Sequence, residues 1–362
     1  MSVQAKLRTA IRRKLLAWYR NHRRDLPWRA REGETPNAYH VLVSEAMLQQ
    51  TQVATVIAYF HRFIEAFPTV EALAAADEQR VLRLWQGLGY YRRARNLHAS
   101  AKVIVEQHGG RVPDSVEALS ALPGVGRYTA GAVASIAYGR AEPIVDGNVA
   151  RVLARWFAIE EAIDAPATKA RLWSLAAELV PAKGASDFNQ AMMELGALVC
   201  QPRGPKCVAC PVRGECEAAK RGEAEAYPVK AARRKPRAVK HQVVAIESGG
   251  AFLFEKRPAQ GLWSNMWQLP TAEELEGDVN AQAIAAWVKG KCGLIISQVK
   301  RVDSFTHQTT HRTIEFVVWR VRARARKRKR ETNAQVWRKL EAVDDLPLAN
   351  PQRRAVAMVL ER

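Results

Sequence analysis

The sequence predicts a mainly α-helical N-terminal region joined to a smaller α+β C-terminal domain. Three features carry that expectation: the length, a helical period of apolar residues up to about Ala226, and a change of period beyond a basic, proline-bearing stretch. At 362 residues the chain is long for one core, so two domains are the natural division. Its 48% hydrophobic content is ordinary for a globular protein. No apolar run approaches the ~20 residues that a membrane helix needs, so no membrane partner is expected.

The helical region, 1–226, opens on a basic segment without acidic residues over 1–24. Leu7, Ile11, Leu15 and Trp18 recur there at helical spacing, which marks a packed first helix rather than a targeting sequence. A second stripe runs Ala46, Gln50, Val53, Ile57, Phe60, Ile64, and a third Val149, Val152, Leu153, Trp156, Phe157. Residues 227–241, YPVKAARRKPRAVKH, hold two prolines and six Lys/Arg and are expected to form a basic linker. Over 242–362, HQVVAIES, GGAFLFEK and TIEFVVWRV have the character of strands, and AIAAWVKGKCG that of a helix. VRARARKRKR fits either a solvated edge strand guarded by charge or a contact with DNA.

Lys and Arg number 56 against 36 Asp and Glu, a net charge of +20. Such an excess suits a polyanionic partner, because each neutralised phosphate releases condensed counterions. Within Leu122-Pro123-Gly124-Val125-Gly126-Arg127-Tyr128-Thr129, Pro123 ends one helix before a second begins near Tyr128. The two glycines allow positive φ, so that backbone amides converge with a helix N-terminus on one phosphate oxygen, while Val125 anchors the turn. An ordinary helix–helix turn has the same residues, and the basic chain favours the DNA-binding alternative. Asp146 follows Gly126 by twenty residues and is placed to cap the helix carrying Val149.

Cys200, Cys207, Cys210 and Cys216 form a C-x6-C-x2-C-x5-C array. Without an export signal, metal binding is favoured over disulfides. Four thiolates suit zinc or a cubane iron–sulfur cluster, and donor softness alone does not choose. Arg203, Lys206 and Arg213 lie between the outer cysteines, so the metal also shapes a basic loop. Cys292 stands apart and is expected to be a buried apolar residue.

Together, hairpin, Asp146 and cysteine array resemble the helix–hairpin–helix DNA glycosylases that carry a [4Fe–4S] cluster. Within them the chain is most similar to the MutY-type adenine DNA glycosylases. LPWR (26–29), VSEAMLQQTQVATV (43–56), WQGLGYYRRARNL (85–97), VDGNVARVLAR (145–155) and FNQAMMELGALVC (188–200) carry the resemblance. RPAQGLWSNMWQLP (257–270) resembles the start of that family's Nudix-like C-terminal domain.

The resemblance implies a helix–hairpin–helix glycosylase fold with a cluster loop at 200–216, and a Nudix-like domain that recognises the base opposite the target. It implies removal of adenine paired with 8-oxoguanine or guanine in duplex DNA, by a monomeric protein of the bacterial cytoplasm held at the nucleoid by its DNA. It decides the metal in favour of [4Fe–4S]. Glu45, placed by its stripe at a helix start beside Ser44, matches the acid–base glutamate, whose pKa burial would raise. Asp146 matches the carboxylate that stays ionised and stabilises a cationic sugar, and Tyr128 and Asn148 match residues that assist the pair.

The adenine pocket maps to Leu26, Trp28, Arg29, Val53 and Glu194, which receive a base flipped from the stack. Gln50 and Tyr90 match residues inserted into the duplex, Gln50 near the vacated base and Tyr90 beside 8-oxoguanine; Leu122, Gly124, Val125 and Gly126 match the phosphate grip. Thr310 and His311 align with the loop that contacts the lesion, where Thr309 replaces the family's aromatic.

No Nudix box follows residue 242, so pyrophosphate hydrolysis is not expected. Two other functions compete. One is a bifunctional glycosylase/lyase on oxidised pyrimidines, against which Tyr128 stands where those enzymes place a Schiff-base lysine. The other is a non-catalytic iron–sulfur DNA-binding protein, which needs neither Glu45 nor Asp146.

Overall fold

The structure, a computed structural model, describes residues 4–31, 33–231, 236–275, 277–324 and 332–361. The chain packs as two compact units, Met1–Ala75 with Asn96–Arg233 and Ala76–Arg95 with Arg234–Arg362. In chain order the helices are α1 (Ala5–His22), α2 (Ala38–Leu48), α3 (Val53–Ala66), α4 (Val70–Ala74), α5 (Glu78–Trp85), α6 (Arg92–His108), α7 (Val116–Ser120), α8 (Arg127–Tyr138), α9 (Gly147–Trp156), α10 (Pro166–Leu179), α11 (Ala185–Leu198) and α12 (Glu217–Arg221). Among the described residues none is long and apolar enough to cross a membrane.

The apolar periods explain the core of the first unit. Ile11, Leu15 and Trp18 are buried on α1, with Tyr19 beside them. Arg12 on the same helix donates to the carbonyls of Leu179 and Val180 at 2.7 and 2.8 Å, satisfying the bare C-terminus of α10. The expected stripe from Ala46 to Ile64 is not one helix: α2 stops at Leu48, Gln50 takes φ +57°, and α3 restarts at Val53. A left-handed residue cannot continue a right-handed helix, so two stripes that happen to be in phase are separated by a turn. Glu45 consequently lies near the C-terminus of α2 rather than at a helix start, Asn37 is the cap, and the Ser44 hydroxyl bonds back to the Val41 carbonyl.

The second unit is a mixed sheet between two helices. Its strands are β1 (Arg237–Ser248), β2 (Ala251–Lys256), β3 (Trp267–Gln268), β4 (Thr271–Ala272), β5 (Ile295–Gln308), β6 (Arg312–Arg324) and β7 (Gln335–Arg338), with helices α13 (Ala281–Cys292) and α14 (Asn350–Leu360). The order is β3-β2-β1-β6-β5; β4 also pairs with β1, and β7 with β2. Strand alternation sorts the two cores. Val243, Ala245, Phe316 and Val318 pack with Ala355 and Val359 of α14, whereas Val244, Ile246, Trp319 and Val321 pack with Ile284 and Val288 of α13. Cys292, the cysteine apart from the array, is buried in that second core as expected.

Three expectations need correction. Strand β1 begins at Arg237, inside the stretch taken as linker, because Arg237–Glu247 runs parallel to Arg312–Arg322. Residues 232–235 of that linker lie outside the described residues. Val321 and Arg322 are not at an edge, since β6 pairs there with β1 on one side and β5 on the other, whereas Ala323 and Arg324 pair with β5 alone. Arg320 and Arg322 are accommodated by Glu247 of β1, at 2.9 and 3.6 Å; 325–330 of the basic run lie outside the described residues. Residues 76–95, expected within the helical region, group with the sheet unit. Gln79 and Gln86 bond there to Asn265, Trp267 and the Leu348 amide, contacts that no apolar period records.

Candidate active site

One cavity of about 450 Å³ opens in the first unit, a size that suits a small ligand. Each element contributes from one end. The turn after α1 supplies Leu26, Trp28 and Arg29, the end of α2 supplies Glu45, and the α2–α3 turn and the start of α3 supply Gln50 and Val53. Helix α8 supplies Tyr128 near its N-terminus, the start of α9 supplies Asp146 and Asn148, and α11 supplies Glu194. All residues singled out for chemistry or for the adenine pocket therefore line the same space. Trp28 is buried edge-on against Phe60, with ring centroids 5.3 Å apart.

Glu45 is the centre of the electrostatics. It is 4% exposed, and burial pushes its carboxyl up to about 7, with the Asp146 carboxylate adding to the rise. Its place at the C-terminal end of α2 works in the same direction, since a helix C-terminus disfavours negative charge. The Tyr128 hydroxyl donates to Glu45 Oε2 at 2.8 Å and lies 3.3 Å from Met193 Sδ. Burial holds the Tyr128 phenol well above its ordinary range, so it remains an O–H donor.

Asp146 is the N-cap of α9, as its position suggested. Oδ1 accepts from the Val149 amide at 2.7 Å and Oδ2 from the Asn148 side chain at 3.1 Å. Burial raises its pKa, and these hydrogen bonds oppose the rise. Arg151, which no sequence signal marked, ties this corner together by donating to Asn148 Oδ1 at 2.9 Å, the Gly196 carbonyl at 2.8 Å and the Cys200 carbonyl at 2.8 Å. Gly196 was missed for a related reason. A Cβ there would come within 2.7 Å of Asn148 Cβ, so only glycine lets α11 pass this close.

Glu194 behaves oppositely to Glu45. Burial alone would raise its pKa, but hydrogen bonds from Arg24 and Arg29 bring it down to about 2. Arg24 donates through its backbone amide and Nε to Oε1 at 2.9 and 2.7 Å, and Arg29 Nη2 donates to Oε2 at 2.8 Å. Arg24 is thus a further wall residue, and its signal was only its nearness to LPWR.

The hairpin has α7 before it and α8 after it. Leu122 and Val125 are buried beneath the turn. Gly124 takes φ +74°, and a Cβ there would collide with the Asn96 side chain. Gly126 differs from expectation. It is the extended N-cap of α8 at φ −90°, and a Cβ on it would meet open space. Its bareness therefore leaves room outside the protein rather than freeing the backbone.

Cys200, Cys207, Cys210 and Cys216 line one small cavity together with Arg155 and Arg213. Among the described residues, no three His, Cys, Asp or Glu side chains converge closely enough to hold one metal ion. An all-sulfur set around one cavity fits either a tetrahedral zinc ion or an iron–sulfur cluster. Arg155 Nη1 lies 3.2 Å from Cys200 Sγ. Burial pushes the Cys210 thiol up to about 12, and its neighbouring cysteines add to the rise.

In the second unit, Tyr90 is 49% exposed at φ +47°, and its hydroxyl lies 3.4 Å from that of Thr310. Thr310 and His311 sit exposed in the β5–β6 turn. Thr309 locks that turn, its hydroxyl accepting from the Arg312 amide at 3.1 Å. An aromatic partner of Thr310 thus comes from a different segment, at Tyr90.

Comparisons with known proteins agree with this architecture. The family model described as HhH-GPD superfamily base excision DNA repair protein matches residues 43–178, and a NUDIX domain model matches 242–358. The human adenine DNA glycosylase is 38% identical over 366 residues, covering 86% of this chain and 66% of that protein. The adenine DNA glycosylase of Buchnera aphidicola subsp. Schizaphis graminum is 33% identical, covering 94% of this chain and 96% of that one. Among solved structures, a thermostable thymine-DNA glycosylase superposes with a TM-score of 0.54 at 31% identity, covering 60% of this chain and 98% of its own.

Proposed function

The chain belongs to the adenine DNA glycosylase family, and we propose that it hydrolyses the N-glycosidic bond of adenine opposite 8-oxoguanine, or opposite guanine, in duplex DNA. The buried Glu45 carboxyl with its pKa near 7, hydrogen-bonded by Tyr128 in the cavity that also holds Asp146, carries this reading. At neutral pH a substantial fraction is protonated and able to give its proton to N7 of a flipped adenine. The C1′–N9 bond then breaks with its electron pair going to the base, and the Asp146 carboxylate stabilises the cationic sugar. Glu45, now ionised, takes a proton from the water whose oxygen bonds to C1′. Adenine and an abasic site result, and the strand stays whole.

Leu26, Trp28, Arg29, Val53 and Glu194 hold the base, Tyr128 and Asn148 keep the two carboxylates oriented, and Gln50 fills the vacated stack. Leu122, Gly124, Val125 and Gly126 grip a phosphate. Residues 1–75 and 96–226 form the catalytic region, and the sheet unit is the domain that, with Tyr90, Thr310 and His311, reads the opposite base. Cys200, Cys207, Cys210 and Cys216 would hold a [4Fe–4S] cluster, which when bound organises the basic loop. A monomer held at the nucleoid in the bacterial cytoplasm fits the charge and the expected substrate.

Excision measured on duplexes that differ only in the base opposite adenine tests the reading, with 8-oxoguanine expected to be fastest. Borohydride trapping should give no protein–DNA adduct, since Tyr128 offers no amine; an adduct would favour the glycosylase/lyase instead. Absence of excision from every duplex, with binding intact, would leave only a DNA-binding protein.

A further inference from the structure

Two non-glycine residues of the β2–β3 connection hold left-handed backbone conformations: Trp263 at φ +53° and Asn265 at φ +60°. A non-glycine residue in the left-handed region persists only where its surroundings enforce it. Here the surroundings are helix α5 and the turn that follows it. Asn265 Nδ2 donates to Glu78 Oε1 at 2.7 Å, and its carbonyl accepts from Gln79 Nε2 at 3.2 Å. Trp267 Nε1 donates to Gln79 Oε1 at 3.0 Å, and the Leu348 amide donates to Gln86 Oε1 at 2.9 Å. Arg95, just beyond Tyr90, donates to the Ser264 carbonyl. The strained connection therefore clasps both ends of the segment that presents Tyr90.

We propose that this clasp positions Tyr90 against Thr310, making Asn265 and Glu78 positioning residues for discrimination of the base opposite adenine. The inference rests on the reading that Tyr90 and Thr310 face that base. Tyr90 comes from residues 76–95 and Thr310 from the β5–β6 turn, so neither segment alone sets the spacing of the two hydroxyls. Thr309 is committed to closing its turn. The aromatic surface beside Thr310 thus depends on how well α5 is held, and Asn265 holds it while tolerating the left-handed backbone better than most residues.

Single-turnover excision by the full chain on adenine opposite 8-oxoguanine and opposite guanine tests this. Asn265→Gly removes the side chain and keeps the backbone conformation accessible. With it, the ratio of the two rates is expected to fall about tenfold, the scale of one lost hydrogen bond, while the rate opposite guanine stays the same. Glu78→Ala should behave alike, and Glu78→Gln, which retains an acceptor oxygen, should restore the ratio. Adding Asn265→Gly to Thr310→Ala should lower the ratio no further than Thr310→Ala alone. An unchanged ratio in Asn265→Gly and Glu78→Ala, with Thr310→Ala still lowering it, overturns the clasp. So does an equal fall of both rates, which marks a merely structural role. If neither Tyr90→Ala nor Thr310→Ala changes the ratio, the opposite-base reading itself fails.

Discussion

Two buried glutamates in one cavity are driven in opposite directions, and each direction has a consequence that can be measured. Glu45, raised to about 7 by burial, is stable as the acid and costly as the anion. Excision should therefore decline as pH rises through about 7, and a pH–rate profile under single-turnover conditions checks it. The same shift acts on stability. The folded state holds a proton that the unfolded chain releases near pH 4.5, so this contribution is full below that pH and is lost as pH rises through about 7. Glu45→Gln keeps the size and removes the ionisation. It should abolish excision, leave duplex binding intact and, above pH 7, be more stable than the parent by on the order of 1–3 kcal/mol, read as a higher melting temperature. Retained excision by this variant would remove the proposed acid. Glu194 runs the other way. Its pKa of about 2 means that its pairing with Arg24 and Arg29 stabilises the fold above the unfolded carboxylate range and is lost as pH falls towards 2. Glu194→Gln should thus flatten the acid limb of a stability–pH curve and cost a few kcal/mol at neutral pH, because it strips a buried partner from two guanidiniums.

At the scale of elements, the hairpin separates two uses of glycine that the sequence writes with the same letter. Gly124 is required by conformation and by the Asn96 side chain behind it, whereas Gly126 has open space where a Cβ would go. Gly124→Ala should destabilise the protein by about 1–3 kcal/mol. Gly126→Ala should fold normally and bind duplex DNA more weakly, because its methyl occupies the approach of a phosphate. Thermal melts set beside binding isotherms distinguish the two, and equal behaviour in both assays would undo the assignment. What could be foreseen follows the same line. Apolar periods exposed α1, α9 and the strands β1, β2 and β6, and the cap at Asp146 follows from a short acceptor three residues before Val149. The turn at Gln50 could not be read, since its apolar neighbours on both sides stay in phase. The interior position of β6 was hidden as well, because a strand's charge pattern records which way its side chains point and not what pairs with its backbone.

For the molecule as a whole, the net charge of +20 sets a sequence-independent attraction to DNA on which any base recognition must be superimposed. That attraction has a local component in the cysteine loop, where Arg203, Lys206 and Arg213 are exposed between the outer cysteines. The loop has only two short 3-10 turns of its own, Cys207–Ala209 and Arg213–Glu215, so gathering of the four thiols is expected to fix the placement of these cations. Two perturbations should therefore converge. Replacing all three cations by alanine should make the dependence of log affinity on log salt shallower by about 0.9 for each phosphate no longer neutralised, or roughly 2.7 if each cation meets one phosphate. Cys210→Ser, which removes a thiolate from the set, should move the slope the same way without altering any basic side chain. Binding to a duplex without a mispair, titrated between about 50 and 200 mM salt, reads both, since no base-specific recognition contributes there. If the alanine variant shifts the slope and Cys210→Ser does not, the loop holds its cations without help from the cysteines. If neither shifts it, the phosphates are neutralised elsewhere on the chain.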